Sequence, residues 1–355
     1  MIKYIGSKRT LVPQIVNLVR ALPNVRTVID LFSGTSRVGH ALKKAGYHVF
    51  ANDHNTYAYT LARCYVQADR NAVLRDVEVL IRELSCIPPK AGYFTETFCI
   101  ESRFFHPKNG ERIDAIREAI AAKHLSPDLE AILLVSLMEA ADRVDSTTGL
   151  QMAYLKNWAS RASNDLTLRV PDVLPGIGDA SHMDALEAAR SIEADIAYLD
   201  PPYNQHSYLG NYHIWETLVK WDKPLAYGVA RKRIQCKDYK SLFNSKPRIR
   251  QALCDVIRSL RAKYLLVSFN NEGYLERSDI EAMLNEQGYV HTFEIDFKRY
   301  VGAQIGIFNP SGEKVGKVSH LRNKEYLYLV SPDTSDLVRA IQEFPFRREE
   351  QPSLF

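Results

Sequence analysis

The chain has 355 residues, of which 46% are hydrophobic and 25% are charged, and its formal net charge is +4. This composition is typical of a globular protein, and the length favours two domains. Because no apolar run approaches a membrane span and no signal-peptide core opens the chain, we expect neither a membrane protein nor an exported one. The five cysteines form no C-x-x-C pair, so we expect no metal site or disulfide framework, and we place the chain in a reducing cytoplasm.

Residues 3–8, with the sequence KYIGSK, precede a predicted helix. Gly6 permits close approach of a ligand to the backbone, while Tyr4 and Lys8 offer a ring and a cation. The alternative is an ordinary loop in which Ser7 caps the helix.

Residues 27–53 follow the order strand, glycine turn, helix, strand. The predicted elements are a strand at 27–32, a turn at 33–36, a helix at about 37–45 and a strand at 47–51. A turn that contains Gly34 lets a ligand approach the helix N-terminus, and Asp53, after the second strand, is predicted to bind a ribose. Only Gly34 and Gly39 fall within the G-x-G-x-x-G window, which disfavours a nicotinamide oxidoreductase.

A helix is predicted at about 56–68, and the alternation of strands and helices then stops until about residue 170. Helical patterns are predicted at 73–84, 111–122 and 128–141. Two stretches, 103–110 and 142–161, interleave cations with aromatic rings, which suits phosphate contact and base stacking. A helical lid with its aromatic side chains in the core is the alternative. The candidates for contact with nucleic acid here are Arg143, Thr147, Tyr154 and Lys156.

The stretch Asp200-Pro201-Pro202-Tyr203 follows a predicted buried strand at 195–199. Two consecutive prolines fix the backbone, so the loop holds one carboxylate, exposed carbonyls and one ring at a set spacing. The Asp200 carboxylate and Pro201 carbonyl could bind both protons of an exocyclic nucleobase amine, while Tyr203 stacks on a base taken out of the duplex. A methyl donor behind the amine would complete an in-line transfer. The alternative is a proline-rich turn with Asp200 as turn former.

Residues 231–250 carry eight cations against the single acid Asp238. This imbalance predicts a segment that faces nucleic acid, and a solvated charged loop is the alternative. The candidates for phosphate contact are Arg231, Lys232, Arg233 and Lys237. Further strands are predicted before Asp179 and at 264–269, 290–297 and 324–330, with a polar turn at 309–312.

Five motifs then stand in one order along the chain: KYIGSK at 3–8, DLFSGT at 30–35, Asp53, DPPY at 200–203 and SFNNEG at 268–273. In this order the chain resembles the D12 class of adenine-N6 DNA methyltransferases, in the alpha arrangement with target recognition ahead of the catalytic motif. The resemblance covers most of the chain. It implies an α/β, Rossmann-like catalytic domain at 1–68 and 172–355, with a mostly helical target-recognition insert at 69–171.

The resemblance also implies a reaction and a set of site residues. S-adenosylmethionine would donate a methyl group to adenine N6 in a specific sequence of double-stranded DNA, after base flipping and without a metal. Phe32 and Gly34 would pass under the methionine part of the cofactor, Asp53 would bind its ribose, and Asp179, in a less regular motif, would lie near its adenine. The implied cofactor residues are Tyr4, Lys8, Asp30, Phe32, Gly34, Asp53, Asp179 and Asp200, and the implied catalytic residues are Asp200, Pro201, Pro202 and Tyr203.

The C-terminal residues 347–355 are predicted to be unstructured. Their last five, QPSLF, resemble the Q-x-S-L-F peptide with which bacterial replication proteins dock on the sliding clamp. Gln351 would bond the edge of the groove, while Leu354 and Phe355 fill an apolar pocket. A chance pentapeptide is the alternative.

Rival functions remain open at the level of sequence. Methylation of cytosine N4 uses a similar loop that usually begins with Ser, so Asp200 favours adenine. RNA methylation is disfavoured because no separate RNA-binding module is visible, and cytosine-C5 methylation lacks its Pro-Cys nucleophile. A catalytically idle DNA-binding or clamp-binding protein would not need the intact loop. Any restriction endonuclease partner would be a separate chain, and we expect a cytoplasmic, nucleoid-associated location.

Overall fold

The computed structural model describes residues 1–298 and 322–344, whose strands build one seven-stranded sheet and a short hairpin. The order across the sheet is β3-β2-β1-β4-β7-β9-β8, with β9 antiparallel to both neighbours and the other pairs parallel. The Rossmann-like α/β architecture predicted from the sequence is confirmed. The strands are β1 (Thr27–Asp30), β2 (His48–Asn52), β3 (Asp179–Ser181), β4 (Glu193–Leu199), β5 (Ala226–Tyr227), β6 (Lys232–Arg233), β7 (Arg261–Asn270), β8 (Tyr289–Lys298) and β9 (Arg322–Ser331).

The strand order reverses between β1 and β4. The chain steps from β1 to β2 and β3 on one side, and then returns to place β4 on the other side of β1. At such a reversal, the loops that leave the carboxyl ends of the two strands diverge and open a crevice for ligands. The loops at 31–35 and 200–203 both leave at this crevice, because β1 ends at Asp30 and β4 ends at Leu199.

Helices cover both faces of the sheet, and each face has its own apolar cluster. In the described residues the helices are α1 (Val12–Ala21), α2 (Arg37–Lys44), α3 (Thr56–Ala62), α4 (Arg70–Ser85), α5 (Tyr93–Thr95), α6 (Pro107–Ala122), α7 (Pro127–Arg143), α8 (Ala185–Ser191), α9 (Tyr208–Asn211), α10 (His213–Lys220), α11 (Gln235–Asp238), α12 (Ile249–Ser259), α13 (Arg277–Leu284) and α14 (Thr334–Glu343). The cluster on one face joins α1, α2 and α14, and the cluster on the other joins α8, α12 and α13. Strands buried on both faces have continuous apolar runs, which is why the sequence predicted them.

A third apolar cluster packs helices from before and after the DPPY stretch at 200–203. It includes Leu84 of α4, Ile116 of α6 and Leu137 of α7, all buried, together with Tyr57 of α3. Trp215 of α10 joins the same cluster, although α10 follows the DPPY stretch in the chain. Helices inside and outside the predicted insert at 69–171 therefore share one apolar cluster. The role of that insert in target recognition stays a prediction.

The predicted helix at about 56–68 is present, but it changes type in its second half. The α-helix α3 ends at Ala62, and Arg63–Gln67 continues as a π-helical turn. The Ala68 N–H donates to the Arg63 carbonyl at 2.8 Å, a bond between residues five apart. Lys43 donates its ammonium to the carbonyls of Val66 and Ala68, both at 2.7 Å, so carbonyls that would be orphaned at the helix end are satisfied.

Two central strands begin earlier than predicted. β4 starts at Glu193 and β7 at Arg261, and these two residues pair in register and form an ion pair of 2.6 Å. Their exposed charged side chains lack the apolar signal on which the prediction depended. The first strand, by contrast, ends at Asp30 rather than at residue 32, because the chain turns there to line the crevice.

Some predictions fall outside the described residues. They concern the polar turn at 309–312, the unstructured tail at 347–355 and the clamp residues Gln351, Leu354 and Phe355. In the ranges that the structure covers, no helix is both long and apolar enough to cross a membrane.

Candidate active site

A cavity opens at the carboxyl ends of β1, β2 and β4. It contains about 980 Å³ of space, including space open to solvent. Seven of the eight predicted cofactor residues line it: Tyr4, Lys8, Asp30, Phe32, Gly34, Asp53 and Asp200. The structure therefore brings together residues from four separate parts of the sequence.

The glycine turn after β1 is tied to the end of β2. Gly34 has a φ of +53° and donates its N–H to Asp53 Oδ2 at 2.9 Å. A Cβ at Gly34 would lie 3.4 Å from the Tyr4 ring, so glycine allows both the backbone conformation and the close approach. Asp53 Oδ1 accepts the Asn55 N–H at 2.8 Å, and burial raises the pKa of Asp53. The Asp53 carboxylate is thus fixed at the cavity wall.

Asp30 lies beneath the same turn and is almost fully buried. Its Oδ2 accepts the Gly39 N–H of α2 at 3.0 Å. Burial raises the pKa of Asp30 to about 7, and the Gly39 hydrogen bond opposes that rise. Asp30 therefore positions α2 as well as lining the cavity.

The prediction that Asp179 lies near the cofactor is corrected by the structure. Asp179 is exposed at the start of the edge strand β3, outside the cavity lining, and its carboxylate contacts His48 Nε2 at 2.7 Å. Met183 and Asp184, which follow β3, line the cavity instead. Because the motif around Asp179 is irregular, the sequence alone did not show which residues in or after β3 line the cavity.

The loop at 200–203 begins with an ion pair. Asp200 Oδ1 lies 3.1 Å from Lys8 Nζ, and the Lys8 ammonium also contacts Glu325 Oε1 of β9. Burial raises the pKa of Asp200 to about 6, although Lys8 opposes the rise. Burial lowers the pKa of Lys8, but Asp200 and Glu325 outweigh it and raise that pKa well above the usual value. Lys8 therefore stays charged next to Asp200.

Sequence reasoning missed Glu325, although a signal was present. Along β9, Glu325 is in phase with Leu327 and Leu329, which are fully buried, and Glu325 is itself only 6% exposed. A carboxylate in the buried phase of a strand needs a partner. Glu325 has two partners: the Lys8 ammonium, and the Ser268 hydroxyl, which donates to Glu325 Oε1 at 2.9 Å.

Tyr203 is held at the mouth of a second, smaller cavity. Its hydroxyl accepts the Asn270 amide at 2.7 Å, and its carbonyl accepts the Tyr274 N–H at 2.9 Å. The second cavity is lined by Ile5, Gly6, Tyr203, Asn204, His206 and Tyr208. Gly6 and Tyr208 line both cavities, so the two spaces are neighbours, and the loop at 200–203 contributes residues to each.

Tyr4 lies between two other tyrosine rings that the sequence did not single out. Its ring stacks on Tyr212 at 4.5 Å and on Tyr208 at 5.2 Å between centroids, and its hydroxyl lies 3.0 Å from that of Tyr57. These tyrosines come from α3, α9 and the residue between α9 and α10. The stack fixes the KYIGSK segment against α9 and the residue that follows it.

The far wall of the first cavity comes from residues 239–244, which were also missed. Tyr239 stacks on His54 at 4.9 Å, and Phe243 meets Phe32 edge to face at 5.1 Å. The Asn244 side chain donates to the carbonyl of Asn204 at 2.7 Å. This part of the predicted basic segment therefore closes the cavity.

Two predicted DNA contacts are corrected because their side chains are buried. Arg233 is 1% exposed and binds the Asp222 carboxylate with two nitrogens, at 2.6 and 2.9 Å. Thr147 is 3% exposed and donates to Asp145 at 2.6 Å. Both side chains hold protein structure together.

Two more of the predicted cations are engaged within the protein. Arg231 forms an ion pair of 3.0 Å with Glu101, and Arg143 donates to the Thr167 carbonyl at 2.9 Å. The Tyr154 ring is half-buried and packs edge to face on Phe104 at 5.2 Å. These contacts weaken the prediction that the three residues face DNA.

The remaining candidates lie on the surface. Lys156 and Lys237 are exposed, and Lys237 Nζ lies 4.4 Å from the centre of the Tyr227 ring. Lys232 is half-buried beside α9, where a Cβ at Gly210 would lie 3.7 Å from its Nζ. No group of three or more His, Cys, Asp or Glu side chains within the described ranges is arranged to hold a metal ion.

The fold and the site define a class of enzyme. A Rossmann-like sheet with an acid after β2, a glycine turn after β1 and DPPY after β4 is the arrangement of an amino-methyltransferase. The family model for D12 class N6 adenine-specific DNA methyltransferases matches residues 4–283. The chain belongs to this family.

Similar methyltransferases match most of the chain. The type II methyltransferase M.NlaIII of Neisseria lactamica is 29% identical, over 92% of this chain and 97% of its own length. The modification methylase StsI of Streptococcus sanguinis is 29% identical over 85% of this chain, and the type II methyltransferase M.FokI of Planomicrobium okeanokoites is 30% identical over 82%. The chain spans about half of the latter two, 49% and 48%.

The family membership gives the reaction. The chain is an S-adenosylmethionine-dependent DNA adenine-N6 methyltransferase. Cytosine-N4 methylation and a non-catalytic binding role, the alternatives left open by the sequence, are not favoured.

Proposed function

We propose that Asp200 and the Pro201 carbonyl bind the two N6 protons of an adenine flipped into the second cavity. The observation that carries this proposal is the position of the catalytic loop between two neighbouring cavities, with Asp200 and Pro202 on the larger and Tyr203 on the smaller. A base stacked on Tyr203 would present its amine towards the larger cavity. The loop would then set the geometry for transfer.

The residues of the larger cavity fit S-adenosylmethionine. A carboxylate has about four lone-pair sites, and Asp53 uses three of them on Gly34 and Asn55. One site is left for a ribose hydroxyl. The Phe32 ring on the wall of this cavity offers an apolar surface.

The chain's own residues supply positioning and electrostatics. When bound, S-adenosylmethionine would supply an electrophilic methyl group on a sulfonium, whose S–CH3 bond breaks to leave the neutral thioether S-adenosylhomocysteine. Asp200 and the Pro201 carbonyl accept the N6 protons and draw the nitrogen lone pair out of conjugation with the ring. The nitrogen gains one bond to carbon and then releases one proton, and the Asp200 carboxylate is the acceptor next to it.

We propose that the duplex binds beside the loop at 145–161. Asp145 anchors this loop to the N-terminal segment through Lys3 at 2.8 Å, and the Gln151 N–H bonds the Asn211 carbonyl of α9 at 2.9 Å. The outer side of the loop carries Trp158, whose ring lies 4.7 Å from the Arg103 guanidinium carbon. Exposed cations and rings linked in this way to the catalytic segments suit contact with phosphates and unstacked bases.

The experiment is sequencing, with base-modification detection, of DNA from cells that express the protein or its Asp200→Ala variant. Methyladenine in one short motif, absent with the variant, would support the proposed site. Modified cytosine, or modification that persists with Asp200→Ala, would contradict it.

The remaining roles are also proposals. We infer a target-recognition role for the insert at 69–171, a cytoplasmic location and, as an open prediction, a restriction endonuclease on a separate chain. Binding of the sliding clamp by residues 351–355 is tested by pull-down. Retention of the clamp by the full chain but not by a Leu354→Ala, Phe355→Ala variant would support it, and equal retention would contradict it.

A further inference from the structure

One buried cation at the catalytic loop contacts two carboxylates. Lys8 and Glu325 have side chains that are 7% and 8% exposed, and the Lys8 ammonium touches both Glu325 and Asp200. The Ser268 hydroxyl donates to Glu325 Oε1 at 2.9 Å and fixes that carboxylate from β7. Formally, this group of three carries one net negative charge.

The net charge matters for the reaction at N6. A neutral amine that attacks a sulfonium methyl group gains positive charge on nitrogen until it loses a proton. A Lys8–Asp200 pair alone would be neutral and would stabilise this charge weakly, whereas a surplus carboxylate in a water-poor site stabilises it more strongly.

We propose that Glu325 is a positioning residue for methyl transfer, holding the Lys8 ammonium at Asp200 while leaving the group with one negative charge. The inference rests on the proposed role of Asp200. Glu325 lies 125 positions after Asp200 in the sequence and acts through Lys8, which contacts both.

The charged and titratable groups around Asp200 set the expected pH dependence. Those facing it from neighbouring elements are Lys8, Asp30, Tyr198, Tyr203, Tyr208 and Glu325. Burial raises the pKa of Asp200 to about 6, Lys8 lowers it and Glu325 raises it. Activity needs ionised Asp200 and falls as pH drops through its pKa, so removing the Glu325 charge moves that acid limb to lower pH.

The test compares Glu325→Gln with the wild type in methylation of duplex DNA. We expect the plateau rate under single turnover to fall by about 10-fold or more, on the scale of electrostatic groups in active sites. The acid limb of kcat/KM for DNA should move to lower pH at the same time. Glu325→Asp should recover part of the rate, and Lys8→Met should move the acid limb to higher pH.

A matched control lies on the neighbouring strand. Glu294 of β8 forms surface ion pairs with Arg277 and Lys324, so Glu294→Gln removes a carboxylate without touching the loop and should keep wild-type rate. Binding of S-adenosylhomocysteine, measured by calorimetry, checks that the Glu325→Gln cavity is intact.

The outcomes separate this inference from the proposed site. A wild-type rate and acid limb in Glu325→Gln, with Asp200→Asn inactive, would overturn the inference alone. A lower rate with an unmoved acid limb and lost S-adenosylhomocysteine binding would also overturn it, because it would show a structural role. Full activity of Asp200→Asn would overturn the role of Asp200 and this inference together.

Discussion

Predictions from the sequence agreed with the structure better at the crevice at the end of the sheet than on the cation-rich surface beside it. At the crevice, the residues predicted to bind the cofactor line one cavity, with Asp179 as the exception. On the surface formed by residues 143–161 and 226–240, Arg233 and Thr147 are buried, and Arg231 is paired with an acid.

The difference has a physical basis. A residue next to a strand end in a parallel sheet has its position set by the strand, so a local motif predicts a three-dimensional neighbourhood. A cation in a loop can face solvent or bind a distant acid, and its neighbours in sequence do not decide between the two. Arg233 binds Asp222, which lies eleven positions earlier in the sequence, and does not face solvent.

The largest effect is expected from Asp200→Ala at the crevice. Turnover should fall by about 10³-fold, because the charged acceptor for the N6 amine is lost. Steady-state methylation of duplex DNA measures the loss, with S-adenosylhomocysteine binding as the check on folding. If most activity survives, the crevice is not where the amine binds.

Arg233→Met tests the surface side of the comparison. The free energy of unfolding should fall by about 2–4 kcal/mol, because the change leaves the partly exposed Asp222 without its buried partner. Denaturant titration measures this, and Lys237→Met in the same segment should change stability by less than about 0.5 kcal/mol. Unchanged stability with weakened DNA binding in Arg233→Met would restore the DNA-facing assignment.

Tyr203→Ala asks whether the second cavity holds the base. Loss of a stacking ring is worth about 1–3 kcal/mol, so kcat/KM for DNA should fall by roughly 5- to 160-fold while cofactor affinity is kept. Tyr203→Phe, which keeps the ring but loses the bond to Asn270, should lose less. A selective loss of cofactor affinity would contradict the placement.

The smallest effect is expected from Lys156→Ala on the exposed loop. Affinity for DNA should fall a few-fold, and the slope of log affinity against log salt should drop by about 0.9, the value for one phosphate contact. Fluorescence anisotropy at several salt concentrations measures both. Lys44→Ala, at the α2 end remote from the crevice, is the control, and an equal slope change in it would show a non-specific charge effect.

The sequence by itself determined the sheet, the order of the motifs and most of the crevice. Apolar strands buried on both faces and a proline-fixed loop are local features, and they placed Gly34, Asp53 and Asp200 correctly around the cavity. Family membership and the reaction follow from the same ordered motifs.

Only the tertiary structure decided which partners the charged side chains take. Lys8 meets Glu325 across 317 positions of sequence, and the stack on Tyr4 joins rings that are about 200 residues apart. Such contacts depend on how β9, α9 and the N-terminal segment converge on the loop after β4. Sequence spacing cannot predict these partners, because the side chains meet only when distant segments of the chain pack together.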